Sequence, residues 1–268
     1  MRGAVSVFML FCLCTLLLIY LMSPIGFNTK EKPIRTSRIL PASYLEESGE
    51  NGRVLVVGDV HGCFEELQEL LSKCNYRSSV DQLVFVGDIL GKGPLSLQVV
   101  DFAMKQGALC VRGNHEQVVI SWYQNKPANT PKLKPSYLKL AQSLSPQHWN
   151  YLLSCPLYLE IPEYDLLVVH AGIDPSVGLD EQDSELMMNM RNRKSNGQGF
   201  TSVYEDGTPW IVFFGHDAKR GLQDRYRNET LVALGLDSGV VYGGQLSAYA
   251  LPDHQLVQVQ AKRVYKEP

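Results

Sequence analysis

Six side chains of types that often bind metal ions stand directly after short apolar runs of the sequence. They are Asp59, His61, Asp88, Asn114, His170 and His216. A mixture of carboxylate, imidazole and amide donors suits two divalent cations about 3.5–4 Å apart better than a structural zinc ion. The sequence therefore predicts a two-metal centre. Asp88 is the expected bridging carboxylate, because it follows the central strand.

A two-metal centre of this kind is suited to the hydrolysis of phosphate compounds. Two cations polarise a phosphoryl oxygen and lower the pKa of a bridging water, so that hydroxide is available for in-line attack near neutral pH. Mn, Zn, Fe and Co all tolerate the predicted ligands, so the sequence leaves the identity of the two divalent metal ions open.

Each of these residues also has a purely structural interpretation. A histidine at a strand end is usually a hydrogen-bonded surface residue, and an aspartate before a helix is usually its cap. Six such residues at one edge of a parallel sheet are hard to explain by packing, because that edge is where ligands collect. The metal-site interpretation is therefore preferred for the set as a whole.

The predicted order of strands and helices explains why these residues meet. Short apolar runs at 54–57, 83–86 and 108–111 predict three strands. Helical stretches at 63–73 and 95–106 separate them, which is the pattern of consecutive βαβ units with parallel strands. Further strands are predicted at 157–161, 166–169, 210–214, 231–236, 245–250 and 255–260, and helices within 114–153 and 180–195.

The overall composition is that of an ordinary globular protein. The chain has 268 residues, of which 45% are hydrophobic and 20% charged, and this excludes a disordered chain or a coiled coil. A formal net charge of -3 argues against nucleic acid as a partner, because counterion release requires a surplus of basic side chains.

The amino-terminal segment differs from the rest of the chain. Residues 4–22 carry no charge and would span about 28 Å as a helix, close to the thickness of the hydrocarbon core of a bilayer. We therefore expect residues 1–22 to form an uncleaved membrane anchor, with a cleaved signal peptide as the alternative. Residues 23–52, with several prolines and mixed charge, are predicted to be a linker. This leaves 53–268 as the catalytic domain.

Six motifs occur in the order typical of metal-dependent phosphoesterases of the phosphoprotein phosphatase type. They are GDVHG, GDILGKGP, VRGNHE, HAG, GHDAKRGLQ and LDSGVVYGGQLSA. Over about residues 54–251 the chain resembles the ApaH-like phosphatases, because GKGP and GHDAKRGLQ point to that branch rather than to the Ser/Thr protein phosphatases. The resemblance implies an α/β fold, a calcineurin-like αββα sandwich with a two-metal centre, here preceded by one N-terminal transmembrane helix. It assigns the same six residues as metal ligands.

The resemblance also implies roles for residues around the metals. His115 is similar to the family's general acid and Arg112 to its phosphate-holding arginine. Where protein phosphatases have Asp-Arg, this chain has Gly91 and Lys92, so the carboxylate that would orient His115 is missing. A general acid without an orienting carboxylate is least disadvantaged when the leaving group is weakly basic. The sequence therefore favours phosphoanhydrides over phosphoserine esters as substrates. The basic residues predicted to bind substrate are Arg112, Lys92, Arg191 and Arg220.

The predicted function is the hydrolysis of phosphoanhydride bonds, with polyphosphate as substrate. Endopolyphosphatase activity is preferred because some membrane-tethered relatives reside in vacuoles. By the same resemblance we expect a single-pass membrane protein of the endomembrane system, in the vacuole with a lumenal catalytic domain, whereas the positive-inside count favours a cytoplasm-facing domain. Alternative functions are a diadenosine tetraphosphatase, a protein Ser/Thr phosphatase or, from another class, a catalytically inactive membrane-tethered scaffold.

Overall fold

The predicted alternation of strands and helices is present in the computed structural model, which describes residues 37–40, 52–125, 132–191 and 209–267. The helices in these ranges are α1 (Phe64–Lys73), α2 (Ser96–Lys105), α3 (Asn114–Gln124), α4 (Pro135–Ser143), α5 (Pro146–Ser154) and α6 (Ser184–Asn189). The strands are β1 (Ser37–Ile39), β2 (Val54–Val57), β3 (Gln82–Phe85), β4 (Leu109–Cys110), β5 (Tyr158–Ile161), β6 (Leu166–Val169), β7 (Ile211–Phe214), β8 (Gln223–Arg227), β9 (Thr230–Gly235), β10 (Gln245–Leu251) and β11 (Gln255–Gln260).

The first sheet contains the predicted βαβαβ unit. Strands β2, β3 and β4 are parallel, with Val57 opposite Phe85 in the pairing of β2 with β3. Strand β10 pairs antiparallel with β2, and β11 pairs antiparallel with β10. The resulting order is β11-β10-β2-β3-β4. The carboxyl ends of the three parallel strands therefore lie at one edge.

The second sheet has the order β1-β5-β6-β7-β9-β8. Strands β5 and β6 form an antiparallel hairpin, joined by a short 3-10 helix at Pro162–Tyr164. Strands β6, β7 and β9 are parallel to one another. Two further strand ends, those of β6 and β7, can therefore contribute side chains to a shared edge.

The packing of β2 shows how the layers are arranged. Val54 and Val56 are buried among residues of the second sheet, whereas Leu55 and Val57 are buried among residues of the helices. Successive side chains of a strand point to opposite faces, so a strand that is covered on both sides has a continuous apolar sequence. On the outer face of the second sheet, Met187 of α6 packs into a third cluster. The αββα sandwich is thus confirmed.

Part of the predicted linker belongs to this fold. Residues Ser37–Ile39 form β1, which pairs in parallel with β5, and the following Leu40 is buried with only 3% of its surface exposed. Its backbone N–H donates a hydrogen bond to the carbonyl of Glu160. The folded unit therefore includes residues before the predicted domain start at 53.

The prediction of an N-terminal transmembrane helix ahead of this fold is corrected. Within the described ranges, no helix has both the length and the apolar character needed to cross a bilayer. The longest α-helix in them, α3, has 11 residues, whereas a span needs about 20. Residues 1–22, on which the prediction was made, lie outside the described part of the chain. The single-pass membrane location and the membrane partner were inferred from that helix and are withdrawn with it.

Candidate metal centre

The six predicted ligands lie at the strand ends that the two sheets share. Asp59 and His61 follow β2, and Asp88 follows β3. The others come from the beginning of α3 and from the residues after β6 and β7, namely Asn114, His170 and His216. All are buried except Asn114, which is partly exposed.

Asp88 occupies the middle of this group. One of its oxygens, Oδ2, lies 3.6 Å from Nε2 of His61, and the other, Oδ1, lies 3.5 Å from Nε2 of His170. Two sets of side chains that could each hold a metal ion share this residue, one with His61 and the other with His170. A single carboxylate that faces two sets in this way has the geometry of a bridging ligand.

The other ligands extend the two sides of Asp88. On one side, Nε2 of His61 lies 3.9 Å from Oδ2 of Asp59. On the other side, Oδ1 of Asn114 lies 3.0 Å from Nε2 of His170 and 3.1 Å from Nδ1 of His216. The donors thus form two adjoining clusters rather than one.

The histidine rings are held in the form that binds a metal. Nδ1 of His61 faces the carbonyl of Leu90 at 3.2 Å, and Nδ1 of His170 faces the carbonyl of Val86 at 2.8 Å. An Nδ1–H group donates a hydrogen bond to the carbonyl, so that Nε2 carries the lone pair that can accept a hydrogen bond or bind a metal. Burial, followed by nearby positive charge, lowers the pKa of His61 well below its usual range, and burial lowers that of His170 to about 3, so both rings are neutral.

The carboxylates at the site repel one another. Burial and the neighbouring Asp237 and Asp88 raise the pKa of Asp59 well above its ordinary value. Burial also raises the pKa of Asp88 and of Asp237. Several buried carboxylates in contact are unfavourable unless cations compensate their charge. The donor set, neutral imidazoles together with crowded carboxylates, therefore fits a pair of divalent metal ions.

The backbone at three of the candidate ligands is in a conformation that non-glycine residues rarely adopt. The φ angles are 46° at His61, 48° at Asp88 and 69° at His216. Such left-handed residues are unfavourable and are concentrated at functional sites, where the surrounding structure holds them in place. The turn at His216 is supported by Asp59, whose carboxylate accepts its backbone N–H at 3.2 Å.

Glu116 supports the turn that carries Asp88, and the sequence analysis did not select it. Its fully buried carboxylate accepts the backbone N–H groups of Asp88 at 2.7 Å, Gly113 at 3.0 Å and Leu90 at 3.3 Å. Burial and the nearby Asp88 raise its pKa. Glu116 is the final residue of the motif VRGNHE, and this position in the motif could have identified it from the sequence.

Asp237 is a second residue that the sequence analysis did not select. It is buried, its carboxylate accepts the backbone N–H of Gly239 at 3.1 Å, and its negative charge contributes to the raised pKa of Asp59. Asp237 lies in the motif LDSGVVYGGQLSA, which supported the family resemblance but to which no role was assigned. The carboxylate lies beside the ligand Asp59, at one edge of the centre.

Two of the predicted substrate-binding residues lie next to the ligands. The ammonium nitrogen of Lys92 is 2.7 Å from Nε2 of His61 and lies over the ring of Tyr242. The guanidinium of Arg191 donates to the carbonyl of His216 at 3.4 Å. Arg220 lies further out, where it pairs with Asp217 and donates to the carbonyl of Arg191 at 2.9 Å.

Arg112, the predicted phosphate-holding arginine, is buried between two helices. It is only 2% exposed, and its guanidinium donates to Gln117 at 3.3 Å and to the carbonyl of Leu153 at 3.0 Å. Its Nε is buried without a hydrogen-bond partner among the described residues. In this conformation the side chain connects α3 to α5 and is not presented to solvent. Its role in holding phosphate stays a prediction.

His115 lies at the beginning of α3, beside the ligand cluster. Its Nε2 is 3.8 Å from Oδ2 of Asp88, and its backbone N–H donates to Oδ1 of the same carboxylate at 2.9 Å. Its Nδ1 is in contact with the hydroxyl of Tyr137. Burial, followed by the positive charge of Lys92, lowers its pKa to about 2. Tyr137 is thus a neighbour of the ring that the sequence analysis did not identify.

The paired sheets with helices outside them and the two adjoining donor clusters define a dinuclear metallohydrolase. The chain belongs to the calcineurin-like phosphoesterase family, whose sequence model matches residues 52–246. It is a metallophosphoesterase, of a family that uses a dinuclear divalent metal centre. The identity of the metals is not determined by the donor set.

Known relatives agree with the ApaH-like resemblance. The chain is 29% identical over 243 residues to the bis(5'-nucleosyl)-tetraphosphatase PrpE (asymmetrical) of Oceanobacillus iheyensis, a match that covers 80% of this chain and 94% of that protein. It is 38% identical over 122 residues to the symmetrical bis(5'-nucleosyl)-tetraphosphatase of Psychromonas ingrahamii, which covers 45% of this chain and 44% of that protein.

Solved structures show the same likeness. A crystal structure described as a candidate diadenosine tetraphosphatase is 34% identical, has a TM-score of 0.72 and covers 85% of this chain and 98% of its own. A protein serine/threonine phosphatase from Saccharomyces cerevisiae, 18% identical with a TM-score of 0.53, shares the fold. Similarity to vacuolar endopolyphosphatases, which the sequence analysis expected, is not shown by these relatives.

Proposed function

We propose that the chain hydrolyses the phosphoanhydride bonds of dinucleoside polyphosphates, with a dinucleoside tetraphosphate as the preferred substrate. The observation that carries this proposal is the position of Asp88, whose two carboxylate oxygens face His61 and His170 on opposite sides. The relatives that match along most of their length support the choice of substrate, since they are named for such tetraphosphates. This replaces endopolyphosphatase, the function preferred from the sequence.

The proposed metal ligands divide into two sets that share Asp88. Asp59 and His61 would join it in holding one ion, and Asn114, His170 and His216 would hold the second ion with it. Two divalent cations, when bound, supply the polarisation of phosphoryl oxygens and the activation of water that hydrolysis requires. The shared carboxylate keeps the two sets at a fixed separation.

The residues around the ligands act on the substrate itself. Lys92, 2.7 Å from His61, is placed to donate a charge-assisted hydrogen bond to a phosphate oxygen beside the metal ligands. Arg191, at the carbonyl of His216, brings a second positive charge to the opposite side of the centre. His115 protonates the leaving oxygen, and the negative charge of the bound substrate favours its protonated form.

A cavity next to Lys92 favours a nucleotide over bare polyphosphate. It has a volume of about 320 Å³ and lies between the GKGP loop and α4. Its lining includes the apolar Leu97 and Leu140 together with Ser136 and Lys139. Small-molecule sites of about 300–1,000 Å³ usually combine apolar walls with a few polar groups in this way. A nucleoside can use both kinds of contact, whereas inorganic polyphosphate has no apolar part.

Substrate profiling of the purified full-length chain tests the proposal. With Mn²⁺ or Co²⁺ added, we expect diadenosine tetraphosphate to be hydrolysed with a kcat/KM at least about tenfold above that for inorganic polyphosphate or a phosphoserine peptide. Separation of the nucleotide products by ion exchange shows whether ADP alone or AMP with ATP is formed. Fastest turnover of the phosphopeptide would contradict the proposal.

A matched pair of variants tests the ligand assignment in the same assay. Asp88→Asn should reduce both bound metal and activity, the latter more than about 100-fold, because residues that merely support a ligand already cost about 10- to 100-fold when replaced. Asp101→Asn serves as the control, since that carboxylate is 59% exposed and faces His148 on α5. Full activity of Asp88→Asn would exclude the shared-ligand role.

A further inference from the structure

Gly91 marks a place where this chain departs from the protein phosphatase pattern, which has an aspartate there. The glycine has a φ of 84°, and a Cβ atom at this position would overlap the hydroxyl of Tyr137 and lie 2.9 Å from Nδ1 of His115. A side chain at 91 and the hydroxyl of Tyr137 would therefore compete for the same space, next to the same nitrogen.

Tyr137 approaches that space from a different part of the chain. It lies on α4, 22 residues after His115 in sequence, and its hydroxyl contacts Nδ1 of the imidazole. The two rings are 5.6 Å apart between centroids and are tilted by 44°. The helix is anchored by Ala141, which is 3% exposed in the core beneath the first sheet, so the tyrosine is carried by a packed element.

The Nε2 atom of His115 points in the opposite direction from this contact. It lies 3.8 Å from Oδ2 of Asp88, the carboxylate at the middle of the candidate metal centre. A hydrogen bond at one ring nitrogen sets the orientation of the whole imidazole, because the two nitrogens lie on opposite sides of the ring. The tyrosine contact therefore determines where Nε2 is presented.

We propose that Tyr137 is the positioning residue for His115, with its hydroxyl in the place that an aspartate at position 91 would occupy. The inference rests on the proposed function, in which His115 is the proton donor. When the P–O bond to the leaving group breaks, the Nε2 proton of the imidazolium passes to the leaving oxygen. The Nδ1 proton stays on the ring, donated to the phenol oxygen, and the imidazole that remains is neutral.

A phenol differs from a carboxylate in a way that suits the proposed substrate. Both can accept a hydrogen bond from the Nδ1–H group and orient the ring, but the phenol carries no charge with which to stabilise an imidazolium. An imidazolium held by a phenol is a sufficient acid for a phosphate leaving group, which needs little protonation. It is a less effective acid for an alkoxide leaving group. The exchange of Asp for the pair of Gly91 and Tyr137 thus matches a preference for anhydrides.

The test uses Tyr137→Phe in the full-length, metal-loaded chain with a series of aryl phosphates of increasing leaving-group pKa. Loss of the hydroxyl should reduce kcat about tenfold for the poorest leaving groups and little for nitrophenyl phosphates, because only the former depend on proton donation. Tyr151→Phe is the control, as that hydroxyl donates to the carbonyl of Ala108 at 3.1 Å and does not contact His115. It should leave the dependence on leaving group unchanged.

A second measurement does not depend on turnover. In NMR spectra of the chain with ¹⁵N-labelled histidine, Tyr137→Phe should shift the Nδ1 resonance of His115, and Tyr151→Phe should not. An equal loss of kcat for all leaving groups, or an unshifted Nδ1 resonance, overturns the inference. If instead aryl phosphates show the expected dependence while diadenosine tetraphosphate is not hydrolysed, the proposed substrate is wrong and the positioning role of Tyr137 stands.

Discussion

The ammonium nitrogen of Lys92 lies 2.7 Å from Nε2 of His61, the same ring nitrogen that faces the carboxylate of Asp88. The lysine backbone has a φ of 58°, a left-handed conformation in the turn GKGP, and the side chain extends to His61, which follows β2. A positive charge is thereby placed beside a candidate metal ligand, where the proposed function would also place the oxygens of a bound phosphate.

Replacing Lys92 should weaken substrate binding more than metal binding. A hydrogen bond to a charged group contributes about 1.5–3 kcal/mol, so Lys92→Met should lower kcat/KM for diadenosine tetraphosphate by about 10- to 100-fold, mainly through KM. Bound metal, measured by inductively coupled plasma mass spectrometry, should not fall. Lys105→Met, at an exposed position of α2, is the control. An unchanged KM would remove Lys92 from the substrate site.

The glycine that precedes His216 should be required for metal binding rather than for folding. A Cβ atom on Gly215 would overlap a carboxylate oxygen of Asp59 and lie 2.7 Å from a methyl group of Val86. Gly215→Ala should therefore displace that carboxylate and weaken metal affinity by about tenfold or more, as changes around ligands do. Calorimetric titration with Mn²⁺ measures the effect.

The comparison for this experiment is Gly178→Ala. That glycine is exposed, and the atom nearest to its added Cβ is the end of the Asp180 side chain, which can move. The control should bind Mn²⁺ like the unmodified chain. If Gly215→Ala did so as well, Asp59 would not be a ligand that depends on this close approach.

Asp81 should stabilise the fold in a pH-dependent way. Burial raises its pKa, but hydrogen bonds from Arg53 and Arg77 outweigh burial and lower the pKa from 3.8 to about 2. Because the folded-state pKa is the lower one, the stabilisation is fully present above pH 3.8 and is lost as the pH falls towards 2. Asp81→Asn should reduce the free energy of unfolding by roughly 1–2 kcal/mol at pH 7.

Urea unfolding at a series of pH values measures this contribution. The difference between Asp81→Asn and the unmodified chain should shrink below pH 3.8, since the carboxylate is then neutral in the unfolded chain and becomes so in the folded one. Asp180→Asn, at an exposed position, should show no such convergence. A difference that stays constant with pH would mean that packing, and not the charge, accounts for the effect of Asp81.

Strands with apolar or alternating sequences were predicted with bounds close to those in the structure. The runs 166–169 and 255–260 form β6 and β11 with the predicted bounds, and 83–86 is displaced by one residue from β3. The strand β8 was not predicted, because its sequence QDRYR is polar and four of its residues are exposed. Its conformation is supported by pairing with β9 at the edge of the sheet, which no local pattern reveals.

The candidate site also contains some features that the local sequence predicts and others that it does not. The six ligand positions follow from residue types and from their location after predicted strands, both of which are local properties of the chain. Arg112 shows what that reasoning leaves open: its place in the motif predicts a phosphate contact, which stays a prediction, and only the structure shows that its guanidinium is buried and donates to the carbonyl of Leu153. A motif specifies the position of a residue in the chain but not the direction of its side chain.

From the sequence alone one can establish the α/β class, the family resemblance and the donor types that meet at one sheet edge, because strand order brings the strand ends together. The folded chain was needed to identify the residues that support these donors. Glu116 beneath Asp88, Asp237 beside Asp59 and Tyr137 against His115 become partners through the packing of helices and sheets. Such contacts depend on tertiary geometry, and spacing along the chain does not encode it.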